Sequence, residues 1–354
     1  MTARHGRGPL HLAAAVDRPA APPAGDTGPY VDAVRLAERG GLDFVTLGDD
    51  PARPGPDALA VLTRAAPATH RIGLVLAVAA PHPDPCHVPA AVVALDRVSR
   101  GRAGQHIRPP APTGTAEDPP AGQDIKREGD GREAGGERDG REIRREGDVQ
   151  DIRQEGDVQD VRYEQHGDPP GAARSPQGRP VRVVDVVEEP ARPAVARHAD
   201  VVLVRATSAE QAGAVRERLR AAAEECGRDP DSLRVLVRLG VDLGDGEYAA
   251  DRGWASDPFA RGRTLGAGTG RRRPAAPGPL YRGGPVDLAE LIAAWYREGA
   301  VDGFHLVPRE PARDLERLVN GTVAVLQHRG LFRTFYPGDT LREHLGLARP
   351  ARTP

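Results

Sequence analysis

Three features of the sequence predict an α/β fold closed into a TIM-type (β/α)8 barrel. Short apolar runs rich in Val, Leu and Ala alternate with segments whose apolar residues recur at helical spacing. That alternation favours a parallel sheet with helices packed outside it. Eight such runs can be counted, which favours closure into a barrel over an open, doubly wound sheet. One charged stretch, residues 109–179, accounts for 71 of the 354 residues, and the remaining 283 suit a single barrel of roughly 250.

The first strand is Leu10–Val16, and Pro29–Arg39 is the first helix, with Val31, Val34, Leu36 and Ala37 near helical spacing and Gly40 and Gly41 ending it. Asp43–Leu47 is the second strand, Pro56–Ala65 a helix, and Arg71–Ala80 a third strand rich in Val, Leu and Ile. Pro85–Val98 is helical, and Ala103–Ile107 is a short fourth strand. Periodicity resumes at Pro180, with strands at Val181–Val187 and Asp200–Arg205 around a short helix at Pro190–His198. Ser208 is placed to cap the helix Ser208–Glu225, and Gly227 lies just past its end. Leu233–Val241 is the seventh strand, Gly244–Gly284 a loop, Pro285–Arg297 a helix, Asp302–Val307 the eighth strand and Ala312–Gln327 the last helix. Seven helices thus serve eight strands, and the missing helix falls where the charged stretch lies. The expected organisation is a first half-barrel over 8–108, an insertion after strand 4 over 109–179, and a second half-barrel over 180–348.

The inserted stretch has few large apolar side chains, many Gly and Pro, and dense alternating charge, a composition that cannot bury enough surface to offset its ordering entropy. Within it Arg144–Ile152 and Arg153–Val161 form a tandem nonapeptide, and looser copies begin at Lys126 and Gly135. A calcium-binding β-roll also has a nonapeptide period but needs glycines, an aspartate and an apolar residue at fixed positions. With Gly147 as the second position, the fourth is Val149 and the eighth Arg153, so no apolar core is continuous and a solvated, disordered segment is expected.

Charge and composition narrow the function. Forty-nine basic and 51 acidic side chains leave a formal charge of −2, so no global field draws the chain to nucleic acid or an anionic membrane, and a small-molecule partner is expected. Two cysteines, Cys86 and Cys226, do not make a disulfide framework, and no run approaches the roughly 20 apolar residues of a membrane span, so a cytoplasmic location is expected.

Leu36–Asp49, Gly55–Leu59, Arg71–Leu74 and Leu95–Gly104, followed by Pro176–Pro180, Ala300–Phe304 and Asp314–Leu318, stand in an order that resembles the luciferase-like monooxygenases, in their nitrilotriacetate monooxygenase-like branch. The resemblance covers about 8–108 and 174–348. It implies a TIM-type barrel, flavin mononucleotide (FMN) delivered in reduced form by a flavin reductase, oxidation of a small organic substrate by molecular oxygen, and a homodimer. Flavin carries the hard chemistry in such enzymes, so no amino-acid nucleophile is required. Related barrels also accept deazaflavin, and a catalytically degenerate barrel serving as a binding or scaffold protein is the third alternative.

Asp49 matches a family position that contacts flavin, and Ala80 and Pro81 fall where relatives carry a hydroxyl residue touching the ring. The family's Gly-Trp-Asn run reads Gly104–His106, leaving His106 as a candidate donor to the ring. The family's following His and Tyr lie on the helix that the charged segment replaces, and its Ser after the fifth strand falls near Val187 or Glu188. Three charge-assisted contacts at about 1.5–3 kcal/mol each are therefore missing from their usual places.

Barrel active sites lie at the C-terminal ends of the strands, which singles out Asp49, His82, His106, Glu188, Arg205 and His305. Arg205 is the best remaining cation for a phosphate, and Gly283 and Gly284 lead into a helix start that attracts anions. Each has a plainer alternative: Asp49 shaping a turn, His106 facing solvent, Arg205 as a surface charge, and Gly283–Gly284 as a flexible turn. His82, Cys86 and His87 lack a second ligand pair at zinc spacing, so no metal is expected. Gly266–Gly270 has no preceding strand and is not read as a dinucleotide loop.

Overall fold

The computed structural model describes residues 8–17, 26–49, 55–79, 87–108, 175–186, 193–244 and 279–350. The tandem repeat and residues 80–86 lie outside them, as do 187–192 and 245–278.

Parallel strands leave unpaired backbone groups at both sheet edges unless the sheet closes. Here the ring runs through β1 (His11–Ala15), β2 (Phe44–Gly48), β3 (Gly73–Ala79), β4 (Ala103–Arg108), β5 (Val181–Asp185), β6 (Val201–Val204) and β7 (Arg234–Asp242). A short β8 (Leu280–Arg282) pairs with the C-terminal end of β7, and β9 (Gly303–Pro308) pairs with both β7 and β1 to complete an eight-strand parallel barrel. The strands β1 to β7 and β9 coincide with the eight apolar runs of the sequence. The additional β8 sits inside the stretch expected to be loop, where Gly240 N donates to Pro279 O and carries the chain onto β7.

The helices follow their local signals. Asp57 caps α2 (Ala58–Ala65) by accepting from Ala60 N, and Ser208 caps α5 (Ala209–Glu225) by accepting from Gln211 N. Gly41 and Gly227, just past α1 (Gly28–Arg39) and α5, adopt φ of 74° and 71°, where a β-carbon would be strained. The last expected helix is not continuous: α7 (Pro311–Arg317) passes into a π-helical turn, Leu318–Val323, before α8 (Ala324–His328). A β-carbon on Gly321 in that turn would lie 2.5 Å from Pro285 Cβ, so the small residue lets α6 (Pro285–Glu298) pack against it.

Two cores result. The larger lies between barrel and helices; the smaller fills the barrel itself with Ala13, Phe44, Val75, Val183, Leu203 and Leu236. A terminal element, α9 (Leu341–His344), with a Thr340–Glu343 capping box, adds Leu341, Leu345 and Leu347 to that inner core. Leu341 N donates to Gly101 O and Arg234 Nε to Leu345 O, both at strand beginnings, so this element closes the N-terminal end of the barrel.

Buried polar groups at the same end tie distant segments together. Asp43 accepts from Leu12 N at 2.8 Å and lies 3.0 Å from His11 Nδ1 and 2.8 Å from Arg333 Nη2. Burial alone would raise this carboxyl, but Arg333 and His11 hold it down at about 2. Asp96 accepts from Ser175 Oγ at 2.5 Å and from Gln177 Nε2 at 2.6 Å, and both partners are buried. Residues 175–179, at the end of the expected insertion and within the stretch that resembles the family, therefore include packed barrel contacts.

Closure leaves no room at one point. A β-carbon on Gly303, which pairs with His11 across the β1–β9 seam, would lie 1.9 Å from the His11 carbonyl oxygen. Gly303→Ala should cost about 3 kcal/mol or more, read as a lower urea midpoint; an unchanged midpoint would show that the seam tolerates displacement.

Candidate functional site

Side chains alternate across a strand, so residues two positions beyond the inner core also face the barrel axis, nearer the C-terminal mouth. From Phe44, Gly104, Val183, Leu203, Leu236 and Gly303, that step reaches Thr46, His106, Asp185, Arg205, Arg238 and His305. The apolar barrel interior thus gives way to a polar layer.

Thr46 Oγ1 and His305 Nε2 are 2.9 Å apart. The His305 ring stacks on Phe44 with centroids 6.3 Å apart, and His106 meets it edge-on at 6.0 Å. Both histidines are buried, with relative exposures of 2 % for His106 and 1 % for His305. Neither nitrogen of His106 nor Nδ1 of His305 has a hydrogen-bond partner among the described residues. Burial drives both imidazoles well below the usual histidine range, reinforced at His106 by His305, Arg238 and Arg108 and at His305 by Arg238. Both are neutral at physiological pH, and each neutral ring offers one donor and one acceptor.

Across the same layer Arg238 Nη1 donates to Asp185 Oδ2 at 2.7 Å, and Arg205 Nη2 lies 3.5 Å from the same oxygen. Asp185 Oδ1 and Arg205 Nε have no partner among the described residues. One step further out, Arg108 Nη2 donates to Asp49 O at 3.2 Å, and Asp17 accepts from Gly48 N at 3.0 Å.

The expected site residues fall in three groups. His106, Arg205 and His305 are brought together in the polar layer; His106 does not face solvent, and Arg205 is an interior side chain engaged by Asp185. Asp49 stands at the rim, exposed, with Oδ1 accepting from Ala58 N at 2.9 Å, which is a turn-shaping contact. Gly283 and Gly284 precede the first turn of α6, with Gly283 N donating to Asp242 O and Gly284 O accepting from Tyr281 Oη. Ala80, His82, Cys86 and Glu188 lie outside the described residues, as does the side chain of His87. The described residues hold no group of three His, Cys, Asp or Glu side chains able to bind a metal, and none of their helices is long and apolar enough to cross a membrane.

Sequence reasoning passed over Thr46, Asp185 and Arg238. The signal was available for two of them: Asp185 and Arg238 are charges inside strands rich in Val and Leu, and a buried charge is retained only with a partner. Their pairing, across 53 positions, is not local information.

Residues 10–108 match the model of the luciferase-like monooxygenase family. The chain is 27 % identical to nitrilotriacetate monooxygenase component A of Aminobacter aminovorans, over 91 % of this chain and 90 % of that protein. Among solved structures, EDTA monooxygenase from Chelativorans sp. BNC1 superposes with a TM-score of 0.66 at 18 % identity, covering 97 % of this chain and 99 % of the other. A riboflavin lyase solved with modified FMN and riboflavin superposes with a TM-score of 0.63 at 18 % identity, covering 97 % of each chain. These two likenesses show the fold.

The buried imidazoles make stability depend on pH. Their folded values lie below the unfolded value of about 6.5, so the unfolded chain takes up protons first and stability falls as pH drops below about 6.5. Each should contribute a loss of about 1.4 kcal/mol per pH unit there. Urea midpoints measured between pH 7.5 and 5.5 should decline, and the double variant H106N/H305Q should decline less steeply; equal slopes would mean that these two rings already carry protons in the folded protein.

Proposed function

We propose that this chain, whose residues 10–108 match the luciferase-like monooxygenase family model, is an FMN-dependent monooxygenase that oxidises a small organic substrate with molecular oxygen, its FMN delivered already reduced by a separate flavin reductase. The observation that carries the reading is the buried layer at the C-terminal mouth, where His106 and His305 keep ring nitrogens without a partner among the described residues. Unpaired buried polar atoms are costly in an isolated fold and fit a flat heteroaromatic partner with donors and acceptors along its edge. When bound, reduced FMN supplies the activation of oxygen.

In this reading the chain's own groups bind, orient and exclude water. His106 hydrogen-bonds the ring edge as a neutral imidazole, and Thr46 fixes the orientation of His305 beside it. Asp49 contributes from the rim through Oδ2, since Oδ1 is engaged by Ala58 N. Gly283 and Gly284 bring the chain to the first turn of α6, whose N–H groups suit the phosphate, and Ala80, outside the described residues, is assigned to the cofactor on the family resemblance alone. Arg205 borders both cofactor and substrate. The apolar seat below, with Phe44 under His305, keeps water from the reacting centre.

Flavin fluorescence should be quenched saturably by the purified protein, and His106→Ala should weaken FMN binding about tenfold, the effect of one lost hydrogen bond near 1.4 kcal/mol. Binding of deazaflavin alone would overturn the choice of cofactor. A folded protein that quenches neither would make this a barrel without flavin chemistry.

A further inference from the structure

The polar layer carries a charge imbalance that hydrogen bonding to a neutral ring does not use. Arg205 and Arg238 converge on Asp185, and two guanidinium groups against one carboxylate leave one positive charge in excess. The group lies within the barrel: the Asp185 side chain is 1 % exposed, and Arg205 and Arg238 are 18 % and 19 % exposed. The other described side chains of the layer, Thr46, His106 and His305, are neutral, so none supplies the missing negative charge. One step further out, Arg108, which donates to a backbone carbonyl, and Asp17 contribute one charge of each sign, so that level leaves the imbalance unchanged.

We propose that Arg205 and Arg238, gathered on Asp185, form a subsite for the carboxylate of a small monoanionic substrate. The inference rests on the enzyme reading for the reaction but not for the binding. Planar guanidinium groups match a carboxylate through paired N–H donors, and Arg205 Nε has no partner among the described residues. Charge count sets the class of ligand. A monoanion neutralises the excess, whereas a phosphate dianion would add a second negative charge beside Asp185, where partial burial weakens screening. Asp185 is then a positioning residue: it holds the two arginines together and lowers their net charge to the value one carboxylate can satisfy.

The test is a titration of the full-length protein with acetate and with propionate at constant ionic strength, followed by the thermal midpoint, alongside separate titrations with inorganic phosphate and with FMN. Saturable stabilisation by the carboxylates is expected, with affinity about tenfold weaker in R238Q. D185N should tighten carboxylate binding several-fold, because it removes the competing charge while keeping the side-chain shape. FMN affinity should change less than twofold in R238Q. Absence of saturable carboxylate stabilisation in the wild-type protein overturns the proposal whether or not either variant folds. Equal weakening of FMN, phosphate and carboxylate in R238Q would assign the charge to the cofactor's phosphate and also overturn it. Carboxylate binding without FMN binding would leave the subsite standing and remove the flavin reading.

Discussion

The fold depends on one seam. Eight parallel strands can satisfy their backbone N–H and C=O groups only if the last returns to the first, and β9 does so by pairing with β1 through residues 303–306 while also lying along β7. The approach is close enough to demand glycine at Gly303. Around the seam, Asp43 joins the backbone of β1 to Arg333 from the chain's last segment, so closure of the ring and docking of the C-terminal segment are coupled. A barrel opened at this seam would expose two strand edges and empty its inner core.

Closure also decides where chemistry can occur. The inner core and the leucines around α9 fill and plug the N-terminal half of the barrel. One pleat toward the C-terminal ends the inward positions become Thr46, His106, Asp185, Arg205, Arg238 and His305. Their polar atoms are only partly matched to one another. A protein selected for stability alone would fill these positions with Val and Leu, as it does two residues earlier on β5, β6 and β7. That step from apolar to polar occurs on β2, β4, β5, β6, β7 and β9, whereas β1 and β3 keep alanine there, Ala15 and Ala77, and it separates the packed interior from the polar layer.

Much of this was legible in the sequence. Buried parallel strands read as continuous apolar runs, so Val181–Val187 and Leu233–Val241 were plain, and Ser208 with Gly227 bracketed α5 by cap chemistry. The strand β8 was not legible, because three residues, Leu280–Arg282, carry no periodicity, and their pairing depends on where β7 ends. The π-helical turn at Leu318–Val323 leaves no mark in an amphipathic pattern and becomes intelligible only from the contact between Gly321 and Pro285. Of the residues that the C-terminal strand ends single out in the sequence, His106 and His305 lie together in the buried polar layer. The burial of His106 follows from the period-2 register that turns Gly104, His106 and Arg108 the same way. Thr46 was invisible: a threonine in a strand is ordinary, and its partner His305 lies 259 positions away.

The polar layer is an energetic liability in the absence of a ligand. Two imidazoles are kept neutral by burial, three of their four ring nitrogens lack partners among the described residues, and beside them two guanidinium groups share the one carboxylate of Asp185. Such features lower the stability of the empty barrel, since each unpaired buried group forgoes the hydrogen bonds it would make in water. They also store selectivity. A ligand that completes those hydrogen bonds gains more from them here than it would in water, whereas an apolar ligand of the same shape leaves the groups unsatisfied and gains only contact area. Ligand affinity and fold stability are then linked through the same atoms: whatever occupies the layer adds its binding free energy to the folded state, so the stable lower half of the barrel is what allows the upper half to remain incomplete until it binds.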